Sequence, residues 1–154
     1  MLVNSAGIGI ADSSDGLNTK HMDLMLGVNL RGLLLVTREA LPLLRASRGW
    51  VFNLASIAGT EPTPSLLVYG ATKAAVIAAT KTLNAELDKD GVRAIAICPG
   101  FVDTPMADWS GLASDEMIQP EDCAEVVRMC LRLSDRARIS QVVIERAGSF
   151  GQFA

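Results

Sequence analysis

Hydrophobic positions along the chain alternate between short apolar runs and long stretches repeating near 3.6 residues, the marks of buried strands and amphipathic helices. Leu2-Val3 is an apolar strand stub that stops at Asn4-Ser5-Ala6-Gly7, after which Gly9, Asp12, Ser13, Ser14 and Gly16 supply loop chemistry. Met22, Met25, Leu26, Leu30, Leu33, Leu34, Val36 and Leu41 predict one long helix from about Thr19 to Ala46. Gly27 and Gly32 inside it lower helix propensity and point to close packing or a distortion. Trp50 to Leu54, bounded by Gly49 and Ser56, reads as a buried strand. Leu67 to Asp88 reads as a second long helix closed by Lys89-Asp90-Gly91. Val92 to Ile97 is a strand stopped by Pro99-Gly100; Pro120-Glu121-Asp122 opens a helix to about Leu133, and Gln141 to Glu145 is a last strand. This alternation predicts an α/β fold of parallel βαβ units with helices on both faces of a sheet. No repeat, low-complexity tract or linker divides the chain, so residues 1–154 are expected to form a single domain.

Composition narrows the partners. The 154 residues carry 14 Lys+Arg against 17 Asp+Glu, a net charge of −3. Nucleic acid and anionic membrane surfaces both demand a basic excess, so neither is expected. No apolar stretch approaches the ~20 residues of a membrane span, and the amino terminus has no basic targeting region. Cys98, Cys123 and Cys130 are odd in number with no CxxC spacing, which fits small buried hydrophobes in a reducing compartment. The expected location is cytoplasmic. His21 reads as a solvated surface residue without a partner, and no metal site can be assembled from one histidine and cysteines so spaced.

Ligands of open α/β sheets bind beyond the carboxyl ends of the strands, which directs attention to Asn4 to Gly7, Ser56, Pro99-Gly100 and Thr104. Tyr69, the only tyrosine, lies four residues before Lys73, so both share one helix face. A phenol with its ordinary pKa of about 10 is a poor base, and an ammonium one turn away favours its ionised form. Ser56 is placed to donate a hydrogen bond to a carbonyl oxygen beside Tyr69. Taken singly, a Tyr-x-x-x-Lys pair is commonly solvated helix surface and a serine after a strand commonly a cap. Their joint occurrence carries the reading.

In these segments the chain resembles the short-chain dehydrogenases/reductases. Asn4-Ser5-Ala6-Gly7 is similar to their Asn-Asn-Ala-Gly strand end, with Ser5 for the second Asn. Val28-Asn29-Leu30-Arg31-Gly32 is similar to their mid-helix Asn segment, Asn53-Leu54-Ala55-Ser56 to their Ser strand end, and Tyr69-Gly70-Ala71-Thr72-Lys73-Ala74-Ala75 to their Tyr-x-x-x-Lys helix. Pro99 to Met106 resembles their Pro-Gly loop, and Pro120-Glu121-Asp122 the start of their last long helix. Together these motifs cover nearly the whole chain.

The resemblance implies a catalytic tetrad of Asn29, Ser56, Tyr69 and Lys73, serving NAD or NADP and a small-molecule alcohol or ketone. Tyr69 would exchange the proton, Ser56 orient the carbonyl or hydroxyl, and Lys73 hold the nicotinamide ribose while lowering the Tyr69 pKa. Asn29 would distort its helix and bind a water linking Lys73 to solvent. Asn4, Ala6, Gly7, Tyr69, Lys73, Pro99, Gly100, Val102 and Thr104 would line the cofactor. Met106 to Leu112 falls where the family places a mobile lid; it is apolar enough for a hydrophobic substrate and equally compatible with ordinary surface. Ala71, Ala74, Ala75, Ala78 and Ala79 give the second helix more than one apolar face, and the family pairs its two long helices in a homo-oligomer.

The family's Thr-Gly-x-x-x-Gly-x-Gly turn, which cradles pyrophosphate, and its first βα units have no counterpart in these residues. The expectation is therefore a partial Rossmann-like, doubly wound sheet missing the first βα units: the catalytic carboxyl-terminal part of an oxidoreductase with a half-built dinucleotide crevice. The alternative is a non-catalytic truncated homologue acting as an interaction or dimerisation partner.

Overall fold

The computed structural model describes residues 1–149. Four strands, β1 (Leu2–Asn4), β2 (Trp50–Leu54), β3 (Arg93–Pro99) and β4 (Gln141–Ile144), pair in parallel in the order β1-β2-β3-β4. The register sets Val3 against Phe52, Phe52 against Ile95, and Ile97 against Val142. Because every strand runs the same way, all carboxyl ends, and the polar residues that follow them, lie along one edge.

β3 is buried at every position, as a strand with neighbours on both edges and helices on both faces must be. Its side chains alternate. Ala94, Ala96 and Cys98 face the long helices α2 (Leu33–Ser47) and α3 (Leu67–Glu86), packing with Leu33, Leu44, Val76 and Ile77. Ile95 and Ile97, with Phe52, face the other way onto α4 (Pro120–Leu131) through Val126, Val127 and Cys130. Each fully buried isoleucine contributes about 2 kcal/mol relative to exposure.

A buried polar ladder crosses the first of these layers. Asn4 Nδ2 donates to Thr37 Oγ1 (3.0 Å) and Asn53 Oδ1 (2.8 Å), and Asn53 Nδ2 donates to Thr80 Oγ1 (2.9 Å). The hydroxyls of Thr37 and Thr80 donate in turn to carbonyls one turn back in their own helices. Four elements, α2, β1, β2 and α3, are thus pinned in one register by groups that would be penalised if left unpaired.

The helix expected from Thr19 to Ala46 occurs, in three pieces. α1 (Thr19–Met25) leads into a π-helical segment, Leu26–Gly32, which continues as α2. Gly32 makes the wide turn possible: a Cβ there would stand 3.3 Å from the Gly27 carbonyl oxygen. The distortion signalled by the two glycines is therefore a π turn, and it rolls Asn29 into the interior at 1% exposure. A second difference concerns β3, which continues through Pro99 instead of stopping before it. The proline is tolerated because it is the last residue of the strand, and the ladder carries on through Gly100, whose N–H donates to the Ile144 carbonyl (2.9 Å).

Candidate active site

Ser56, the second residue beyond β2, begins a single 3₁₀ turn, Ile57–Gly59, that presses directly on α3. The contact has no room for side chains. A Cβ on Gly59 would lie 2.7 Å from the Ala74 nitrogen and the Lys73 carbonyl carbon, and one on Gly70 would lie 2.7 Å from the Ala58 carbonyl oxygen. These two glycines bring the Ser56 hydroxyl to the turn of α3 that carries Tyr69 and Lys73. Neither was singled out by the sequence motifs, since only the packing reveals the need.

Ser56 Oγ accepts a hydrogen bond from the Ala58 N–H (3.2 Å), and the side chain also hydrogen-bonds the Tyr69 phenol. Burial raises the Tyr69 pKa above that of a free tyrosine, while the Ser56 contact pulls it back down. Lys73 is 5% exposed; burial lowers it to about 8. Its Nζ donates to the Leu54 carbonyl (2.7 Å) and sits 5.5 Å from the centre of the Tyr69 ring. The resemblance had led to the expectation that Lys73 depresses the Tyr69 pKa. In this geometry the desolvation of the phenol wins, because the ammonium is held against Leu54 one strand end away and is itself made less charged by burial.

Asn29 uses its whole amide. Oδ1 accepts from the Ile8 N–H (2.8 Å), and Nδ2 donates to the Ile8 carbonyl (2.8 Å) and to Thr72 Oγ1 (3.1 Å). Above it, Gly7 leaves a gap: a Cβ there would stand 3.4 Å from Lys73 Nζ and 3.6 Å from Asn29 Oδ1. The structure thus brings Gly7, Asn29, Ser56, Tyr69 and Lys73 to one place.

The remaining candidates sit around this centre in different ways. Ala6 is exposed and Gly7 half-buried on the loop after β1, whereas the Asn4 amide turns inward to the polar ladder. Pro99 and Gly100 end β3, next to the Ser56 segment through the bond from the Ala55 N–H to the Ile97 carbonyl (2.7 Å). Thr104 Oγ1 donates back to the Val102 carbonyl (3.2 Å) and so shapes its own loop. Gly9 packs at the Tyr69 ring edge, and a Cβ on it would lie 3.6 Å from Met106 Sδ. Met106 belongs to a 3₁₀ segment, Pro105–Ser110, in which Trp109 is 61% exposed and stands edge-on to Phe101.

His21 does have a partner: its Nδ1 lies 3.1 Å from an Asp12 carboxylate oxygen, across a loop whose folding the sequence pattern could not show. Cys98 is a buried thiol pushed up to about 11 by desolvation, in keeping with a packing role. Among the described residues no cluster of three metal-ligating side chains occurs, and no helix is long and apolar enough to cross a membrane.

The sequence model of the short chain dehydrogenase family matches residues 1–113 of this chain. The chain belongs to the short-chain dehydrogenase family. Its relatives include an uncharacterized oxidoreductase of Staphylococcus epidermidis, 38% identical over 145 residues, and another of Staphylococcus aureus, 34% identical. Each alignment covers 94% of this short-chain dehydrogenase sequence and 63% of the relative, so the chain spans somewhat under two thirds of those proteins. The fold is likewise similar to solved structures. A 3-ketoacyl-(acyl-carrier-protein) reductase from Brucella melitensis, complexed with NADH, superposes with a TM-score of 0.83 at 27% identity, covering 96% of this chain and 66% of that one. ElxO with NADP bound matches at 0.83 and 24% identity over 94% of this chain and 65% of that chain, a likeness of fold alone. The four-stranded parallel sheet with flanking helices is the Rossmann-like architecture the sequence led us to expect.

Proposed function

We propose that this chain carries the catalytic side of an NAD- or NADP-dependent oxidoreductase that interconverts a small-molecule alcohol and ketone. One observation carries the reading: a single buried phenol, hydrogen-bonded to a strand-end serine, shares a helix face with a buried lysine. The presence of NADH on the Brucella reductase supports it.

The residues fit the nicotinamide-ribose end of such a cofactor. Lys73 gives one ammonium proton to Leu54 and has two more to offer, and Gly7 keeps the adjoining space clear, so vicinal hydroxyls can be held there. Ala6, Gly7, Pro99, Gly100, Val102 and Thr104 would frame the ring. When bound, the cofactor supplies or accepts the hydride.

The chain's own groups do the rest. The Ala58 N–H, donating to Ser56 Oγ, leaves the serine proton to be given to the substrate oxygen. Tyr69, held protonated at neutral pH by burial, is a proton donor to the developing alkoxide in the reductive direction. The Lys73 charge stabilises the phenolate left behind, and Asn29 keeps the loop at Ile8 and the π turn in register with it.

Tyr69→Phe removes only the transferable proton. In an assay of reduced-cofactor consumption with a panel of ketones it should lose at least about 10²-fold in turnover. Turnover persisting near the parent level refutes the role.

A second copy of the chain is the partner we infer for the outer face. A groove of about 470 Å³ along the α1–π–α2 surface is lined by Asp23, Leu26, Gly27, Leu30, Arg31, Leu34 and Leu35. On α3, Leu67, Ala71, Ala74 and Ala78 are exposed. A monomeric mass by light scattering at micromolar concentration would exclude it.

A further inference from the structure

Thr72 lies between Tyr69 and Lys73 in sequence and is 1% exposed. Its hydroxyl makes two bonds with different partners. It donates to the Tyr69 carbonyl (2.7 Å) and accepts from Asn29 Nδ2 (3.1 Å). The same Asn29 amide grips both backbone groups of Ile8, one residue from Gly9, which packs at the Tyr69 ring edge. A closed path therefore runs from the β1 loop through the π turn to the turn of α3 that bears the phenol. We propose that Thr72 is a positioning residue, whose hydroxyl fixes the orientation of the Asn29 amide and ties it to the Tyr69 backbone, so that loop, π turn and phenol keep one geometry.

The chemistry leaves little choice of orientation. An amide that must accept from one N–H and donate to one carbonyl can rotate by half a turn only by facing donor with donor. The Thr72 oxygen, with its own proton already given to Tyr69, is an acceptor to Asn29 and rewards the orientation in which Nδ2 faces it. Removing the hydroxyl leaves a buried donor unpaired and removes this preference.

The consequence for turnover rests on the proposed role of Tyr69, but the hydrogen-bonding claim stands without it, and the test reads the two apart. Thr72→Val keeps the shape and one methyl and loses the hydroxyl; Thr72→Ser keeps the hydroxyl and loses the methyl. Amide hydrogen exchange is followed at Ile8, with Ile95 and Ile97 of β3 as references for global stability. In Thr72→Val, protection at Ile8 should fall about tenfold or more relative to those references, and in Thr72→Ser it should stay near the parent value.

Because Tyr69 is the only tyrosine, phenolate absorbance titrates it alone. Its midpoint should move down toward the ordinary tyrosine value in Thr72→Val as the loosened segment admits water, and should hold in Thr72→Ser. A packing role would show the reverse ranking of the two variants. Unchanged Ile8 protection in folded Thr72→Val, or an equal loss in Thr72→Ser, overturns the proposal. Should Thr72→Val fail to fold, Thr72→Cys is read against the same criteria. Loss of Ile8 protection with turnover unaffected would leave the hydrogen-bond claim intact and remove the role of Tyr69.

Discussion

Gly70 meets Ala58 so closely that a single added carbon would stand 2.7 Å from the Ala58 carbonyl oxygen. This contact, together with Gly59 against Lys73 and Ala74, seats the Ser56 turn on the helix that carries the phenol. The obstructing atoms are backbone, which cannot swing aside as a flexible side chain would.

Gly70→Ala should therefore destabilise the fold by about 1–3 kcal/mol, although alanine is otherwise the better helix former by ~1 kcal/mol. Denaturant unfolding measures this. A variant as stable as the parent would mean that turn and helix separate without penalty, and that Ser56 is not held as described.

The buried lysine gives a pH dependence. Lys73 titrates at about 8 in the folded chain, below its ordinary 10.5. Between those values the unfolded chain binds the proton that the folded chain has released, so the Lys73 contribution to stability rises with pH from about 8 to 10.5. Tyr69 and Cys98, both raised, work in the opposite direction at alkaline pH. The clean measurement is the difference in unfolding free energy between parent and Lys73→Met, which should shift in favour of the parent across that interval. A flat difference contradicts the assigned burial.

Ser56 and Tyr69 can be examined through the same absorbance signal that isolates the lone tyrosine. Burial holds the phenol above its usual value and the Ser56 contact counteracts it, so Ser56→Ala should move the titration midpoint further up. A downward shift would show that the serine does not bond the phenol.

The polar ladder predicts a large penalty at a residue with no part in catalysis. Asn53→Ala leaves Asn4 Nδ2 and Thr80 Oγ1 without one partner each and opens a void, for a loss of about 2–4 kcal/mol. Thr80→Val removes one bond and should cost about 1–2 kcal/mol. Near-equal stabilities of these variants and the parent would mean that water or a rearranged amide substitutes for the ladder.

The strands and helices were legible because their apolar spacing is strong: β2 spans the residues that the pattern marks, and α3 ends within two residues of the expected boundary. The distortion at Asn29 was foreshadowed by Gly27 and Gly32, yet its π character depends on how one more residue fits into the coil, which no period in the sequence encodes. Tyr69, Lys73 and Ser56 stood out by residue type and spacing. The direction of the Tyr69 shift did not, because it is decided by desolvation against the field of a lysine whose rotamer is set by the Leu54 carbonyl. The Asp12–His21 pair and the Asn4 ladder join residues brought together by loops and sheet order, and single-sequence spacing carries no trace of either.

The π segment also sets the phase of everything that follows it. Deleting any one residue between Leu26 and Gly32 would let the coil relax to an ordinary α-helix, while turning α2 by about 100° relative to α1. Leu33 and Thr37 would then swing off the sheet as a block. That single surplus residue thus acts as an angular spacer, and length changes should be far less tolerated there than in the Ser13 to Gly16 loop only a few residues upstream.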